Sequence, residues 1–262
     1  MRTIDQNQFS KKQLIAVASD GILIPDVTWF ENVKNPTWRK DVEKTFEAFH
    51  RAPDKLHIAF SIGELLRREL SSRTPTTDPV DWEGTERLRE LLRQDDYIST
   101  IEANVDSLRS IGLDPIVQLA DNRSSLVDGM RALNGLVGNE MMAKYRASHR
   151  TTNAPLSAFA PSIAALTERT LSKSLSDLGL SPTDCARLNV RQSVFFRSQF
   201  SFWAQVFRYA MDSPTLQRGD DKLLNDLVDS DFAIVASYTD ALETDEKLLR
   251  ERYDALKSAI TL

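Results

Sequence analysis

Residues 225–245 read Asn-Asp-Leu-Val-Asp-Ser-Asp-Phe-Ala-Ile-Val-Ala-Ser-Tyr-Thr-Asp-Ala-Leu-Glu-Thr-Asp, and the expected fold is organised around this stretch. It predicts a helix that carries Asp226 and Asp229, followed by a short strand that ends before Asp245. Carboxylates gathered in this way repel one another. A fold that clusters them is therefore typical of a divalent-cation site with oxygen ligands.

On a helical wheel, the arc that carries Asp226 and Asp229 continues through Ala233 and Ser237. These small residues leave room beside the acids for an ion or a substrate. Asp231 falls among the apolar positions, so it is a weaker candidate. The positions expected to face the core are Leu224, Val228, Phe232 and Val235.

The beginning of the chain alternates predicted strands and helices. A strand around Ile4 precedes a helix that Ser10 can cap and that ends at Asp20-Gly21. The apolar run Ile22-Leu23-Ile24, closed by Pro25, predicts a buried strand, and Asp26 is a candidate N-cap for the next helix. This alternation predicts an α/β domain with a parallel sheet.

Further along, residues 39–50 predict a helix, 56–60 a strand and 62–70 another helix. The Ser-, Thr- and Pro-rich segment 71–79 predicts a loop and a domain boundary. From Val80 to Met211 we predict helices alone. Leu88, Leu91 and Leu92 mark the first of them, others lie at 97–111, 115–136, 141–149, 162–178 and 185–211, and a last helix follows at 246–258. We expect a three-layer α/β core built from residues 1–70 and 215–262, with residues 80–211 as a helical insertion or cap packed on it.

Composition excludes several classes of function. The 33 basic and 38 acidic residues give a net charge of −5, which argues against binding nucleic acid by net charge alone. Cys185 is the only cysteine, and the three histidines lack metal-ligand spacing, so a disulfide framework and a zinc site are not expected. No apolar run of ~18 residues and no signal peptide occurs. We expect a cytoplasmic protein that does not enter a membrane.

Four motifs occur in a definite order: Ile4-Asp5-Gln6-Asn7, then residues 24–31 (Ile-Pro-Asp-Val-Thr-Trp-Phe-Glu), then residues 225–229 (Asn-Asp-Leu-Val-Asp), then Thr244-Asp245. In these motifs the chain resembles the PIN-domain nucleases, over about residues 1–70 and 215–262. Two departures stand out. Gln6 replaces the usual Thr, and the helical block lengthens the interval between the second and third motifs.

The resemblance implies a PIN-like fold and a divalent-metal-dependent endoribonuclease that uses Mg²⁺ or Mn²⁺. It implies RNA as substrate, a role as a toxin or defence effector, and a protein regulator or antitoxin as partner. It is also compatible with a homo-oligomer. The implied metal ligands and catalytic residues are Asp5, Glu31, Asp226, Asp229 and Asp245, with Asn7 and Thr244 as positioning groups and Lys34 and Lys247 as contacts to the scissile phosphate.

Alternatives stay open at this stage. Each acid taken alone also fits a helix cap, a turn or a helical ion pair. The chain could instead be an inactive PIN-like nucleic-acid-binding or regulatory protein, or a helical interaction module in which the strands form no sheet. The aromatic stretch 195–209 fits either a base-stacking surface or a buried helix.

Overall fold

A parallel sheet of four short strands lies at the centre of this computed structural model, which describes residues 1–5, 8, 21–28, 32, 36–111, 114–152, 155–212 and 220–261. The strands are β1 (Arg2–Ile4), β2 (Ile22–Ile24), β3 (Leu56–Ile58) and β4 (Ala241–Glu243). Their order in the sheet is β3-β2-β1-β4, and each neighbouring pair is parallel. The predicted α/β class with a parallel sheet is confirmed. The helical-module hypothesis expected no such sheet.

Helices follow and flank these strands. Their bounds, in chain order, are α1 (Trp38–His50), α2 (Ile62–Ser72), α3 (Trp82–Leu92), α4 (Tyr97–Ile111), α5 (Asp114–Val137), α6 (Asn139–Thr152), α7 (Ala160–Asp177), α8 (Pro182–Leu188), α9 (Val194–Asp212), α10 (Asp220–Ala236) and α11 (Lys247–Thr261). Short 3₁₀ turns cover Pro53–Lys55 and Leu156–Phe159.

Side chains that alternate along the strands cover both faces of the sheet. Ile22 and Ile24 pack with α1, α3 and α4 on one face. Leu23 faces the other way and packs against Val235 of α10. Because both faces are buried, the strands are continuously apolar, as parallel strands usually are. Gly21, directly before β2, has a φ of +88°, and a Cβ atom there would lie 2.6 Å from His57 Nε2. Both the backbone conformation and the lack of space favour glycine at this position.

A second and larger core joins the middle of the chain to its end. Residues of α5, α6, α7 and α9 pack together with residues of α10 and α11. The most deeply buried members of the aromatic stretch in α9 are Phe196, Phe200 and Phe207. The buried-helix interpretation of that stretch is therefore confirmed, and these three rings offer no base-stacking surface.

One predicted helix, 185–211, is wrong in its bounds, because two helices, α8 and α9, cover this segment. The reason is a tertiary cap. Glu69 of α2, which is fully buried, accepts hydrogen bonds from the N–H groups of Val194 (2.8 Å) and Phe195 (3.3 Å). The first N–H groups of a helix have no acceptor within the helix itself. The Glu69 carboxylate supplies that acceptor at the start of α9, and a new helix begins there.

The helix predicted for residues 10–20, most of the helix predicted after Asp26, and the residues Asn7, Glu31 and Lys34 lie outside the described residues. Within the described ranges, no helix is both long and apolar enough to cross a membrane. Residues 80–211 contribute to both cores, since α3 and α4 pack beside the sheet and α5–α9 form the larger helical cluster. The proposed division into core and insertion stays a prediction.

Candidate functional site

The sheet order places a topological switch point between β1 and β4. The chain runs from β1 to β2 and β3 on one side and then returns to add β4 on the other side of β1. In open parallel sheets, ligands bind outside the carboxyl ends of the strands at such a point. Asp5 follows β1 directly, and Thr244 and Asp245 follow β4, so the first and fourth motifs meet at this position.

Asp5 and Thr244 are joined there by a hydrogen bond. The Thr244 hydroxyl donates to Oδ2 of Asp5 at 2.8 Å and accepts from the backbone N–H of Glu246 at 2.9 Å. The Asp5 N–H donates to the carbonyl of Glu243 at 2.9 Å, which continues the pairing of the two strands. Asp5 is only 6% exposed. This carboxylate is therefore held in a fixed place at the end of the sheet.

Asp229 approaches the same position from α10. Burial raises the pKa of its carboxyl to about 7; Arg252 lowers that pKa, and the negative charges of Glu246, Asp226 and Asp5 raise it. These charges influence one another because a protein interior screens them weakly. Asp5, Asp226, Asp229 and Glu246 thus form one electrostatic group, which we call the acid cluster.

Asp226 differs from the other members of the acid cluster because protein donors occupy both of its carboxylate oxygens. Nη2 of Arg252 donates to Oδ1 at 2.6 Å, and the Tyr209 hydroxyl donates to Oδ2. Nη1 of Arg252 also donates to the backbone carbonyl of Asp226. The side chains of Asp226 and Arg252 are each 6% exposed. The helical wheel predicts room for an ion beside Asp226. In the structure the guanidinium of Arg252 occupies that room.

Arg252 was missed by the sequence analysis, although a signal for it exists. It lies three residues after Leu249 and four before Leu256, both of which are buried. An arginine on the apolar stripe of a helix must find a buried partner, because an unpaired buried charge is costly. That pattern could have predicted an ion pair between the last helix and one of the acids.

Asp26 and Asp231 form a second pair of interacting acids. Burial raises the pKa of Asp26 to about 6, although backbone hydrogen bonds from Val27 and from Asp26 itself lower it. Burial raises the pKa of Asp231 to about 8, and the charge of Asp26 adds to this effect. The sequence predicts Asp26 as a helix cap and Asp231 as the weaker site candidate. Their mutual influence across β2 and α10 was not visible in local spacing.

Two buried polar groups close to these acids in sequence have no hydrogen-bond partner within the part of the chain that the structure describes. They are Nε2 of Gln8, whose residue is 3% exposed, and Oγ1 of Thr28, whose residue is fully buried. Gln8 follows β1 and Thr28 follows β2, so both come after strand ends at the edge that carries Asp5 and Asp26. Buried groups of this kind normally have a hydrogen-bond partner in the protein or in ordered water.

The remaining predicted residues are placed less centrally. Asp245 is exposed in the loop between β4 and α11. Lys247 begins α11, and its Nζ atom lies 3.8 Å from Oε1 of Glu251. Glu31, Asn7 and Lys34 lie outside the described residues. Among the residues that are described, no three His, Cys, Asp or Glu side chains converge as a group that could hold a metal ion.

The donor chemistry of this edge suits a hard cation. Asp5 and Asp229 offer carboxylate oxygens, the ligand type that Mg²⁺ and Mn²⁺ prefer, and Nη1 of Arg252 lies 3.8 Å from Oδ2 of Asp229. Comparison of the chain with protein-family models, with curated proteins and with solved structures gave no match.

Proposed function

We propose that the chain is a PIN-like, divalent-metal-dependent endoribonuclease whose site lies at the carboxyl ends of β1 and β4. One observation carries the proposal. Asp5 and Asp229 come from opposite ends of the chain, yet they are close enough at the switch point for the charge of Asp5 to raise the pKa of Asp229. A fold that brings carboxylates from distant parts of the chain together at the ligand-binding edge of a parallel sheet is suited to a divalent cation.

In this proposal Asp5 and Asp229 hold the cation, Mg²⁺ or Mn²⁺, with Glu31 and Asp245 as further predicted ligands. When bound, the cation stabilises negative charge on the phosphate and lowers the pKa of a bound water. Thr244 orients Asp5 through its 2.8 Å hydrogen bond. Asn7 is the second proposed positioning group, and Lys34 and Lys247 are proposed contacts to the phosphate. Asp226 was proposed as a ligand from sequence, and its pairing with Arg252 favours a supporting role.

The wider assignments follow from the same resemblance. We propose a toxin or defence effector that acts on RNA in the cytoplasm, with a protein regulator or antitoxin as partner. The large helical core beside α10 and α11 would then help to select one RNA, because it packs directly on the two helices that carry Asp229 and Arg252.

RNA cleavage tests the proposal. The purified chain is incubated with single-stranded and hairpin RNA, and with DNA of the same sequence, in the presence of Mg²⁺ or Mn²⁺. We expect cleavage of RNA that chelation abolishes, and a loss of about 100-fold or more in Asp5→Asn and in Asp229→Asn, as for groups that stabilise charge in a transition state. Asp177→Asn is the matched control, since Asp177 is exposed at the end of α7.

Absence of cleavage with either metal would contradict the proposal, as would cleavage at the control rate in both variants. Faster cleavage of DNA than of RNA would correct the substrate class and keep the metal chemistry.

A second candidate is a PIN-like regulatory protein that binds nucleic acid and has lost catalysis. The observation that favours it is the pairing of Asp226 with Arg252, because an internal cation then neutralises one acid of the predicted ligand set. A calorimetric titration separates the two candidates. The regulatory protein would bind RNA without cleaving it and would give no heat of Mn²⁺ binding that depends on Asp5.

A further inference from the structure

An open groove with a volume of about 830 Å³ is lined by side chains of α2 and of the loop that follows it, residues 74–78. Both walls start from the carboxyl end of β3. α2 begins at Ile62, shortly after β3 ends at Ile58, and the loop returns where the N–H of Asp81 donates to the carbonyl of Ile58 at 2.8 Å. β3 lies two strands from β1, which is about 10 Å across the sheet. The groove therefore begins at the same edge of the sheet as Asp5.

The loop wall of the groove is held in place by the protein itself. Glu69 of α2 accepts a hydrogen bond from the N–H of Thr76 at 2.7 Å, and Asp78 accepts one from the N–H of Val80 at 3.0 Å. Where α2 ends and the loop begins, Arg73 has a φ of 58°, a left-handed conformation in which helices usually end on glycine. Strained backbone of this kind persists only where the surrounding structure holds it, so the groove is preformed.

The two carboxylates of the lining are already matched by protein donors. Oε1 of Glu64 accepts from Nε of Arg68 at 3.3 Å, and Oε2 of Glu64 lies 3.1 Å from Nη2 of Arg67. Oδ1 of Asp78 accepts from a backbone N–H, and Oδ2 accepts from Nε1 of Trp82 at 2.9 Å. A ligand in the groove therefore meets carboxylate oxygens that already have partners.

The guanidinium groups keep N–H donors for a ligand. The central carbon of the Arg68 guanidinium lies 3.5 Å from the centre of the Phe60 ring, so stacking fixes this group. Both Nη atoms of Arg68, and Nη1 of Arg67, have no hydrogen-bond acceptor within the described parts of the chain. The hydroxyls of Ser71 and Thr77, which also line the groove, have no partner there either. Donors of this kind suit phosphate oxygens, which arginine binds through two parallel N–H groups.

An exposed aromatic ring adjoins the groove through Asp78. Trp82, at the start of α3, is 51% exposed. Its Nε1 atom donates to Asp78, and its ring lies 5.4 Å from the ring of His57 at an angle of 87°. These two contacts fix the ring and leave about half of its surface open. A fixed and exposed indole beside arginine donors is the combination on which unpaired bases stack.

We propose that this groove is a subsite for single-stranded RNA, in which a base stacks on Trp82 and phosphate oxygens accept from Arg67 and Arg68. The groove selects a single-stranded nucleic acid, and the choice of RNA rests on the proposed function. A peptide fits less well, because its N–H groups would meet carboxylates that already have donors. The charges of the two arginines cancel those of Glu64 and Asp78, so binding does not depend on net charge. This agrees with the net charge of −5 for the whole chain.

Binding of RNA in the presence of EDTA tests the inference, because metal-dependent cleavage cannot occur there. We would titrate a fluorescein-labelled single-stranded RNA of about eight nucleotides with the full chain and follow its anisotropy. Trp82→Ala should weaken binding by about tenfold or more, and Trp82→Phe should recover most of the affinity, because a phenyl ring still stacks. Leu178→Ala is the matched control and should bind as the wild type does, since Leu178 is 59% exposed just after α7.

The phosphate contacts have a test of their own. Arg68→Gln should weaken binding by about tenfold, because hydrogen bonds to a charged group are lost. Arg131→Gln is its control, since Arg131 is exposed on α5 and also pairs with a nearby acid, Asp128. The logarithm of the binding constant should fall with the logarithm of the salt concentration with a slope no steeper than about −1.4, as for two phosphates of a single strand.

Each outcome either supports the subsite or overturns it. Wild-type affinity in folded Trp82→Ala and Arg68→Gln would overturn it, and Arg68→Gln decides alone if Trp82→Ala does not fold. Adenosine monophosphate that binds as tightly as the RNA would point to a free nucleotide as ligand. An oligoglutamate peptide that does so would point to an acidic protein partner. Either result would overturn the assignment to RNA, as would tighter binding of DNA of the same sequence.

The proposed function is judged separately, by cleavage in the presence of metal ions. A chain that cleaves RNA but binds it equally well in all these variants would keep the nuclease proposal and lose the subsite. A chain that binds RNA through Trp82 and Arg68 without cleaving it would keep the subsite and lose the nuclease proposal.

Discussion

Thr244 donates a 2.8 Å hydrogen bond to Oδ2 of Asp5, although 239 positions separate the two residues in the chain. The contact joins the ends of the first and last strands of the sheet, where the switch point lies. It also settles the direction of the Asp5 carboxylate. Oδ2 accepts from Thr244, so this contact holds the carboxylate at the end of the sheet.

We therefore expect Thr244→Val to affect activity more than stability. Removal of one hydrogen bond to a partly buried carboxylate costs about 1 kcal/mol in the free energy of unfolding, which lowers the Tm by about 2–4 °C for a chain of this size. RNA cleavage, measured at a temperature where both proteins are folded, should fall by more than that stability change accounts for. Thr261→Val, at the exposed end of α11, should change neither quantity. Equal activity of the two variants would contradict a positioning role for Thr244.

A second prediction concerns the ion pair between Asp226 and Arg252. Removal of one partner leaves a buried charge uncompensated, so Asp226→Asn and Arg252→Met should each lower the free energy of unfolding by about 3–5 kcal/mol. The double variant should lose less than the sum, with a coupling energy of about 2 kcal/mol, since the two residues share one network. Urea denaturation of the wild type, the two single variants and the double variant measures this coupling energy.

The matched control is the exposed pair of Arg131 and Asp128, which lie 3.0 Å apart with side chains 77% and 67% exposed. Its coupling energy should be about 0.3–0.5 kcal/mol, as for helical surface pairs. If the buried pair showed no more coupling than this one, the assignment of Arg252 as an internal cation of the site would be wrong.

These two contacts show where sequence reasoning succeeded and where it stopped. Ile22-Leu23-Ile24 and the segment around Leu242 were predicted as strands because a continuous or alternating apolar run reports burial directly. The helix predicted at 97–111 likewise matches α4, Tyr97–Ile111. Local patterns of this kind depend only on neighbours in the chain.

Partners across the fold could not be predicted in that way. The wheel placed Asp226 and Asp229 together on one arc, but it could not show that Arg252, 26 positions later, fills the space beside them. The division of the 185–211 segment into two helices likewise depends on Glu69, 125 positions before Val194. Periodicity tells which face of a helix is buried, and it does not tell what that face meets.

A third prediction concerns pH. Asp26, Asp229 and Asp231 have folded-state pKa values raised to about 6, about 7 and about 8, with burial as the main cause. The folded state therefore holds these protons more tightly than the unfolded chain does, where the usual value is 3.8. Their contribution to stability is complete below pH 3.8 and is lost as the pH rises through the folded-state values.

We accordingly expect the free energy of unfolding, measured in urea without divalent cations, to fall between pH 5 and pH 8.5. Asp231→Asn should reduce this fall, because the amide carries no charge at either pH, whereas Asp177→Asn should leave the slope unchanged. A wild-type stability that rises over this range would contradict the shared burial of these carboxyls. Saturating Mn²⁺ should also flatten the slope, because a bound cation compensates the ionised form of Asp229.

The last prediction separates core from surface in α9. Phe200 is fully buried, and its ring lies 6.0 Å from the ring of Phe196 in the larger core. Truncation of a buried aromatic side chain costs about 3–5 kcal/mol, so Phe200→Ala should lower the free energy of unfolding by that amount. Phe195→Ala, at a partly buried position of the same helix, should cost less.

Affinity for RNA, measured by fluorescence anisotropy at a temperature where both variants are folded, should stay within about twofold of wild type, because a ring sealed inside the protein cannot stack on a base. A large loss of RNA affinity in a folded Phe200→Ala protein would show that α9 opens to bind RNA.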